Sequence, residues 1–389
     1  MKCDILICGG EVIDPSQHFR GVRDIAVVDG RIARVPESGE TIEADCTLDA
    51  RGLLVVPGLI DLHVHVYPHS PWGLVPDTLA AANGVTTFLD TGTAGSFSFD
   101  EFRRETIDRS RSRVLALVNL SCTGLLTGNL GELLDRRYAD VEGVKRVIRQ
   151  HPDVAIGVKI RASDFIIGKR EDGWANLRDA IRAARESETW LMVHIGYCPM
   201  PIPELVRELA PGDCITHCFR GDSTPIIDAD GRVFEAVIEA KERGVYFDVG
   251  HGMGSFCWEI AESCLAQGFE PTTISTDLHT WCINGPVWDM PTTMSKFLQL
   301  GMPLDEVIEL TTLRPAEVLG RSNDLGTLRE GTTADITLLE QCTGRFRLTD
   351  SLGTDRVSDT LLRAAATIRS GELLPGGGSL AGRHLADDE

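Results

Sequence analysis

The chain has 389 residues, 42% of them hydrophobic and 25% charged, with a formal net charge of −20 at pH 7. That balance supports a large buried core, and the acidic surface argues against nucleic acid and anionic membrane as partners. The 11 scattered cysteines form no CxxC pair, the N-terminus lacks the apolar core of a signal peptide, and no apolar run nears the ~20 residues of a membrane span, so a reduced, cytoplasmic protein is expected.

From the N-terminus, residues 1–56 read as strand-rich. A β-hairpin is expected over 25–28 and 31–35 about an Asp29-Gly30 turn, followed by a short strand at 47–50. This segment is too short to bury a core alone. The run Leu325-Gly326-Thr327-Leu328 through Leu339 offers a partner, so the two chain ends are expected to pair as one small β-sandwich. From 57 to 320, short apolar runs alternate with helical patterns. The runs are 53–60, 85–89, 114–120, 155–160, 190–193, 214–216, 245–249 and 272–275; helical patterns include 77–82, 141–149, 174–186, 233–243 and 256–266. Eight such runs predict an α/β chain with a (β/α)8 TIM-type barrel. No GxGxxG turn or P-loop supports the alternative, an open doubly wound sheet. Residues 321–375 are assigned to the sandwich, and 376–389, with Gly376-Gly377-Gly378, read as a tail.

In a barrel, chemistry gathers at the C-terminal strand ends. His63 and His65, two residues apart on a strand, point the same way. The other predicted ends carry Lys159, His194, His217 and Asp277. Each alone reads as an ordinary structural residue. Together, four of the ten histidines and one of only six lysines face one mouth, which points to a metal site.

These residues sit in strings that resemble the amidohydrolase superfamily of metal-dependent hydrolases: PGLIDLHVH, a strand-4 lysine, single histidines on strands 5 and 6, Thr276-Asp277, and a closing Gly326-x-Leu328-x-x-Gly331-x-x-Ala334-Asp335. HVHVY, GVKIRAS, THCF, DVGHGMGSF, STDLH and MPTTMSK look like a deacetylase group often labelled dihydroorotase. The resemblance implies two divalent metals bridged by Lys159 after carboxylation by CO₂. His63, His65 and Asp277 would hold one metal, and His194 and His217 the other. Nitrogen-rich ligation with oxygen bridges suits Zn²⁺, with Mn²⁺, Fe²⁺ and Co²⁺ left open. A hydroxide shared by the metals would attack an acyl carbonyl, with Asp277 as general base and then acid.

The substrate class implied is small and acylated: acetyl esters of (R)-2-hydroxy acids such as acetyl-(R)-mandelate, and N-acetyl-D-amino acids. Dihydroorotases carry HxHxR, and here the arginine position is Tyr67. Cyclic-amide hydrolysis of the dihydroorotase or hydantoinase type therefore ranks behind deacetylation, beside an adenine deaminase-like reaction. A non-catalytic scaffold is remote, because all six ligand positions are filled. Arg161, two residues beyond Lys159, reads equally as a substrate-carboxylate clamp or an ion pair at the barrel lip. Tyr67, His251, His279 and Gly95 are further candidate substrate contacts, as are Trp281 and Asn284. His18, His69, His151 and His384 read as ordinary polar positions, and homo-oligomerisation is left open.

Overall fold

A computed structural model describes residues 2–33, 42–221 and 223–375. Seven parallel strands in chain order form the barrel wall: Leu59–Val64, Val85–Thr91, Arg113–Asn119, Ala155–Arg161, Trp190–His194, Cys214–Thr216 and Tyr246–Asp248. The strands Leu59–Val64 and Val85–Thr91 are buried along their whole length, as parallel strands are when helices cover the outer face. The helices Pro76–Asn83, Val141–Gln150, Arg170–Glu186, Glu235–Glu242 and Trp258–Ala266 lie where helical patterns are read. Val141–Gln150 shows why. Asp140 caps the Gly143 N–H, and Val141, Val144, Val147 and Ile148 bury one face.

The eighth position departs from expectation. Residues 272–275 predict a regular strand, but the segment from Thr272 to Leu278 closes the barrel irregularly. Val249 N donates to Thr273 O at 3.1 Å, Asp277 N to His63 O at 2.7 Å, and His65 N to Leu278 O at 3.0 Å. Side chains take the place of ladder bonds here: Thr273 and Ser275 hydroxyls donate to Asp248, and Thr276 to Asp61. The backbone departs from extended geometry at Asp277, with φ of +49°.

The chain ends fold together into two further sheets. One has the order Arg31–Ala33, Ile25–Val28, Lys2–Cys8, Glu43–Asp49; the other runs Glu372–Leu373, Asp355–Arg369, Ile336–Thr349, Leu54–Pro57, Glu11–Asp14, Phe19–Val22. Ile5, Ile7, Val27, Val55, Ile336 and Ile368 fill the space between them. The Asp29-Gly30 turn has both residues at positive φ, 50° and 74°, as a two-residue hairpin demands. The expected strand at 47–50 is the end of a longer one, Glu43–Asp49. Of 325–339 only Ile336–Leu339 pairs with Leu54–Pro57. The rest of the C-terminal contribution is a long hairpin, Ile336–Thr349 with Asp355–Arg369, that sequence patterning did not reveal. The handover from sandwich sheet to barrel falls at Gly58, where an added Cβ would lie 2.3 Å from Thr86 Oγ1. Arg34 and Val35 of the expected hairpin, the tail at 376–389 and His384 lie outside the described residues. No helix of the described residues is long and apolar enough to cross a membrane.

Candidate metal centre

The strand ends deliver their side chains to one buried space. Asp277 Oδ1 stands 3.3 Å from both His63 Nε2 and His65 Nε2. Lys159 Nζ is 3.5 Å from His63 Nε2, and His217 Nε2 is 2.8 Å from His194 Nδ1. One ligand atom each from His63, His217 and Asp277 lies within 4.8 Å of the other two. His217 and Asp277 both hold positive φ, 74° and 49°. Such strained backbone is retained where the surroundings over-determine it, and it clusters at functional sites.

The neighbours settle which histidine nitrogens face the site. Thr216 gives its only hydroxyl hydrogen to Asp248 Oδ2 at 2.7 Å, so its oxygen accepts from His63 Nδ1–H at 2.8 Å. Thr93 does the same between Asp90, at 2.7 Å, and His65 Nδ1–H, at 2.7 Å. His217 Nδ1–H donates to the Gly250 carbonyl at 2.7 Å. His63, His65 and His217 therefore each turn Nε2 toward the site, against Asp277 or His194, and in the neutral ring that nitrogen carries the lone pair a metal would take. A third aspartate, Asp61, accepts the Thr276 N–H at 3.0 Å and braces the residue beside Asp277. Sequence reasoning missed this ring of Asp61, Asp90 and Asp248. The signal was present, since each aspartate lies on a barrel strand in DLH, LDT or FDV.

Electrostatics follows from burial and contact. Desolvation pulls the Lys159 amine down to about 8, against Asp277, which favours its charge. Burial would raise the Asp277 carboxyl, but the His63 and His65 contacts overturn that and hold it well below its usual range. Burial keeps His194 and His217 neutral by lowering both strongly. The donors fit a pair of divalent cations: four imidazoles, one ionised carboxylate and a buried amine whose nearby partners are a methionine sulfur, at 3.2 Å, and His63.

Glycines let the backbone come close. A Cβ on Gly92 would meet Lys159 Cβ at 2.7 Å, and one on Gly250 would meet His217 Nδ1 at 2.8 Å. On Gly252 it would meet Asp277 Oδ2 at 2.4 Å.

The expected substrate contacts divide. His279 joins the site: it is buried, 6.2 Å from the His65 ring and 4.9 Å from Trp72. Burial lowers it to about 4. Trp281 stands 4.6 Å from Trp72, half-exposed at the mouth, while Asn284 is exposed. Trp72 itself was overlooked, because nothing in its local sequence marks it. Tyr67 is corrected: its hydroxyl donates to Glu101, and its ring packs 4.8 Å from Phe102, within the core. Arg161 is held as an ion pair at the barrel lip, Nε to Glu132 Oε1 at 2.8 Å and Nη2 to Oε2 at 2.6 Å. Its fork is thereby occupied by a protein carboxylate. Gly95 is a close-packing position, where a Cβ would lie 2.0 Å from Ser121 O. His251 is fully buried and held by Lys296, 2.6 Å from its Nε2.

Relatives share this architecture. The chain is 36% identical to a deacetylase of Agrobacterium fabrum over 84% of its own length and 80% of the relative's. It is 34% identical to a deacetylase of Enterococcus faecalis over 96% of this chain and 99% of that one. The model of the amidohydrolase family matches residues 254–365. The chain belongs to that family. A solved structure described as an adenine deaminase superposes with a TM-score of 0.87 at 33% identity, covering 95% of this chain and 99% of that one. The fold and the membership together make the chain a hydrolase with a TIM-type barrel and a separate β domain.

Proposed function

We propose that this amidohydrolase removes an acetyl group from small carboxylate-bearing esters or amides, O-acetyl-(R)-2-hydroxy acids foremost and N-acetyl-D-amino acids second. The observation that carries the reading is the convergence of six donors on one buried space, in a chain whose near full-length relative is a deacetylase. His63, His65 and Asp277 would hold one metal, His194 and His217 the other, with Lys159 between them. Two divalent ions, zinc by donor preference, would polarise the acyl carbonyl and acidify water.

The chain's own groups do the rest. Lys159, unprotonated above about pH 8, attacks CO₂; an N–C bond forms, one proton leaves, and the carbamate offers two oxygens. Asp277, ionised and against His63 and His65, accepts a proton at its carboxylate and returns it to the leaving alkoxide or amine. His279 and Trp72 wall the space beside His65.

Dihydroorotate hydrolysis is the second reading, because a solved dihydroorotase is 32% identical with a TM-score of 0.86. Tyr67 weighs against it, standing at the arginine position with its hydroxyl on Glu101. A screen of paired D and L acetyl esters and amides, with dihydroorotate as control and metal content measured for wild type and Lys159→Ala, tests the reading. Cleavage of the acetyl-(R)-2-hydroxy acid and a sharp loss of metal in Lys159→Ala are expected. Hydrolysis of dihydroorotate alone would overturn the choice of substrate.

A further inference from the structure

Lys296 is the second fully buried lysine, and the chemistry above makes no use of it. It lies on the helix Met290–Gln299, in the MPTTMSK string, and reaches three separate segments. Its Nζ donates to Pro286 O at 2.9 Å, to Thr349 O at 2.7 Å and to His251 Nε2 at 2.6 Å. The direction of the last bond follows from the imidazole. His251 Nδ1 faces the Gly252 carbonyl at 2.9 Å, and a carbonyl only accepts, so Nδ1 carries the ring hydrogen and Nε2 is the acceptor. Three acceptors then match the three hydrogens of an ammonium.

The loop so gripped is Gly250-His251-Gly252. Gly250 O is the acceptor that orients His217, and Gly252 is packed against the Asp277 carboxylate. Pro286 lies on the chain that leaves Asp277. The tip of the C-terminal hairpin bonds that loop and the chain just after it: Ser351 Oγ donates to Gly252 O at 2.9 Å, and Ser351 N to Phe256 O at 2.9 Å. The His251 ring is further held at 4.8 Å from Phe256.

We infer that Lys296 is a positioning residue for the metal centre: through His251 it fixes the loop that aims His217 and Asp277, and it ties that loop to the hairpin of the β domain. The inference rests on the metal reading above. It explains why the strings DVGHGMGSF and MPTTMSK occur in one chain although neither supplies a metal ligand. Lys296 clamps the first from the second.

The test is metal binding rather than turnover. Metal-free wild type, Lys296→Met, His251→Phe, the double variant and Ser351→Ala are titrated with Zn²⁺ against a chelator, and their Co²⁺-loaded visible spectra are compared. Lys296→Met should bind at least tenfold more weakly, with altered Co²⁺ absorption. His251→Phe should do the same, and the double variant should lose no more than the worse single one, because both act through one contact. Ser351→Ala should shift affinity in the same direction by a smaller factor. Unchanged affinity and spectrum in Lys296→Met, with only a lower melting temperature of the metal-free protein, would overturn the inference. If Lys296→Met does not fold, wild-type affinity in both His251→Phe and Ser351→Ala overturns it. Wild type that binds neither Zn²⁺ nor Co²⁺ would instead sink the metal reading itself.

Discussion

Burial decides how readily Lys159 gives up its proton. Desolvation lowers its amine to about 8 from an ordinary value of 10.5, so the neutral fraction rises from about one-tenth at pH 7 to roughly nine-tenths at pH 9. Recovery of metal-stripped enzyme with Zn²⁺ and CO₂ should therefore accelerate severalfold between pH 7 and pH 9 at constant dissolved CO₂. A flat profile would argue against carbamate formation. Gly92 controls the same side chain sterically. Because a Cβ there would sit 2.7 Å from Lys159 Cβ at a φ of +82°, Gly92→Ala should weaken metal binding by ~10-fold or more, measured by chelator competition, with the far-UV spectrum unchanged. Asp277→Asn keeps an oxygen toward His63 and His65 but cannot hold a proton. It should retain metal and lose turnover by ~10²–10⁴-fold; a metal-loaded, active variant would remove Asp277 from its assigned role.

Among the strands and loops, His63, His65 and His217 are each held by a residue on or just beyond another strand. Asp248 on the seventh strand fixes Thr216 on the sixth, which fixes His63 on the first. Thr216→Val removes the middle hydroxyl while keeping the shape. It should lower metal affinity by ~10–100-fold, and calorimetric titration of the metal-free protein would measure it. The irregular eighth segment belongs to the same system, since Asp248 and Asp61 accept the hydroxyls of Thr273, Ser275 and Thr276. A regular strand was the natural expectation for 272–275, because periodicity reports which residues are apolar. It does not report that polar ones will bond sideways into the barrel.

Across the whole molecule, Asp335 joins the β domain to the barrel. Its carboxylate takes the Arg113 guanidinium at 2.6 Å and the Ser370 N–H at 2.8 Å, while its carbonyl takes the Gly58 N–H at 2.8 Å. Asp335→Ala leaves a mostly buried arginine unpaired and should cost about 3 kcal/mol in denaturant unfolding. Arg113→Leu in the same background should recover part of that loss, because it removes the stranded charge. What the sequence determined by itself was everything that local pattern encodes. Apolar runs alternating with helical stripes marked the barrel strands, and His63, His65, Lys159, His194, His217 and Asp277 stood out because strand ends must carry the chemistry of such a barrel. Tertiary structure alone decided the partners. Whether Arg161 would meet a substrate or Glu132, whether Tyr67 would face the mouth or Glu101, and that Lys296 would close on His251 all depend on contacts between segments 29 to 45 residues apart. Hydrogen bonds at that range leave no period in the sequence, and in a buried, low-dielectric site they determine which polar group is committed and which remains free to act.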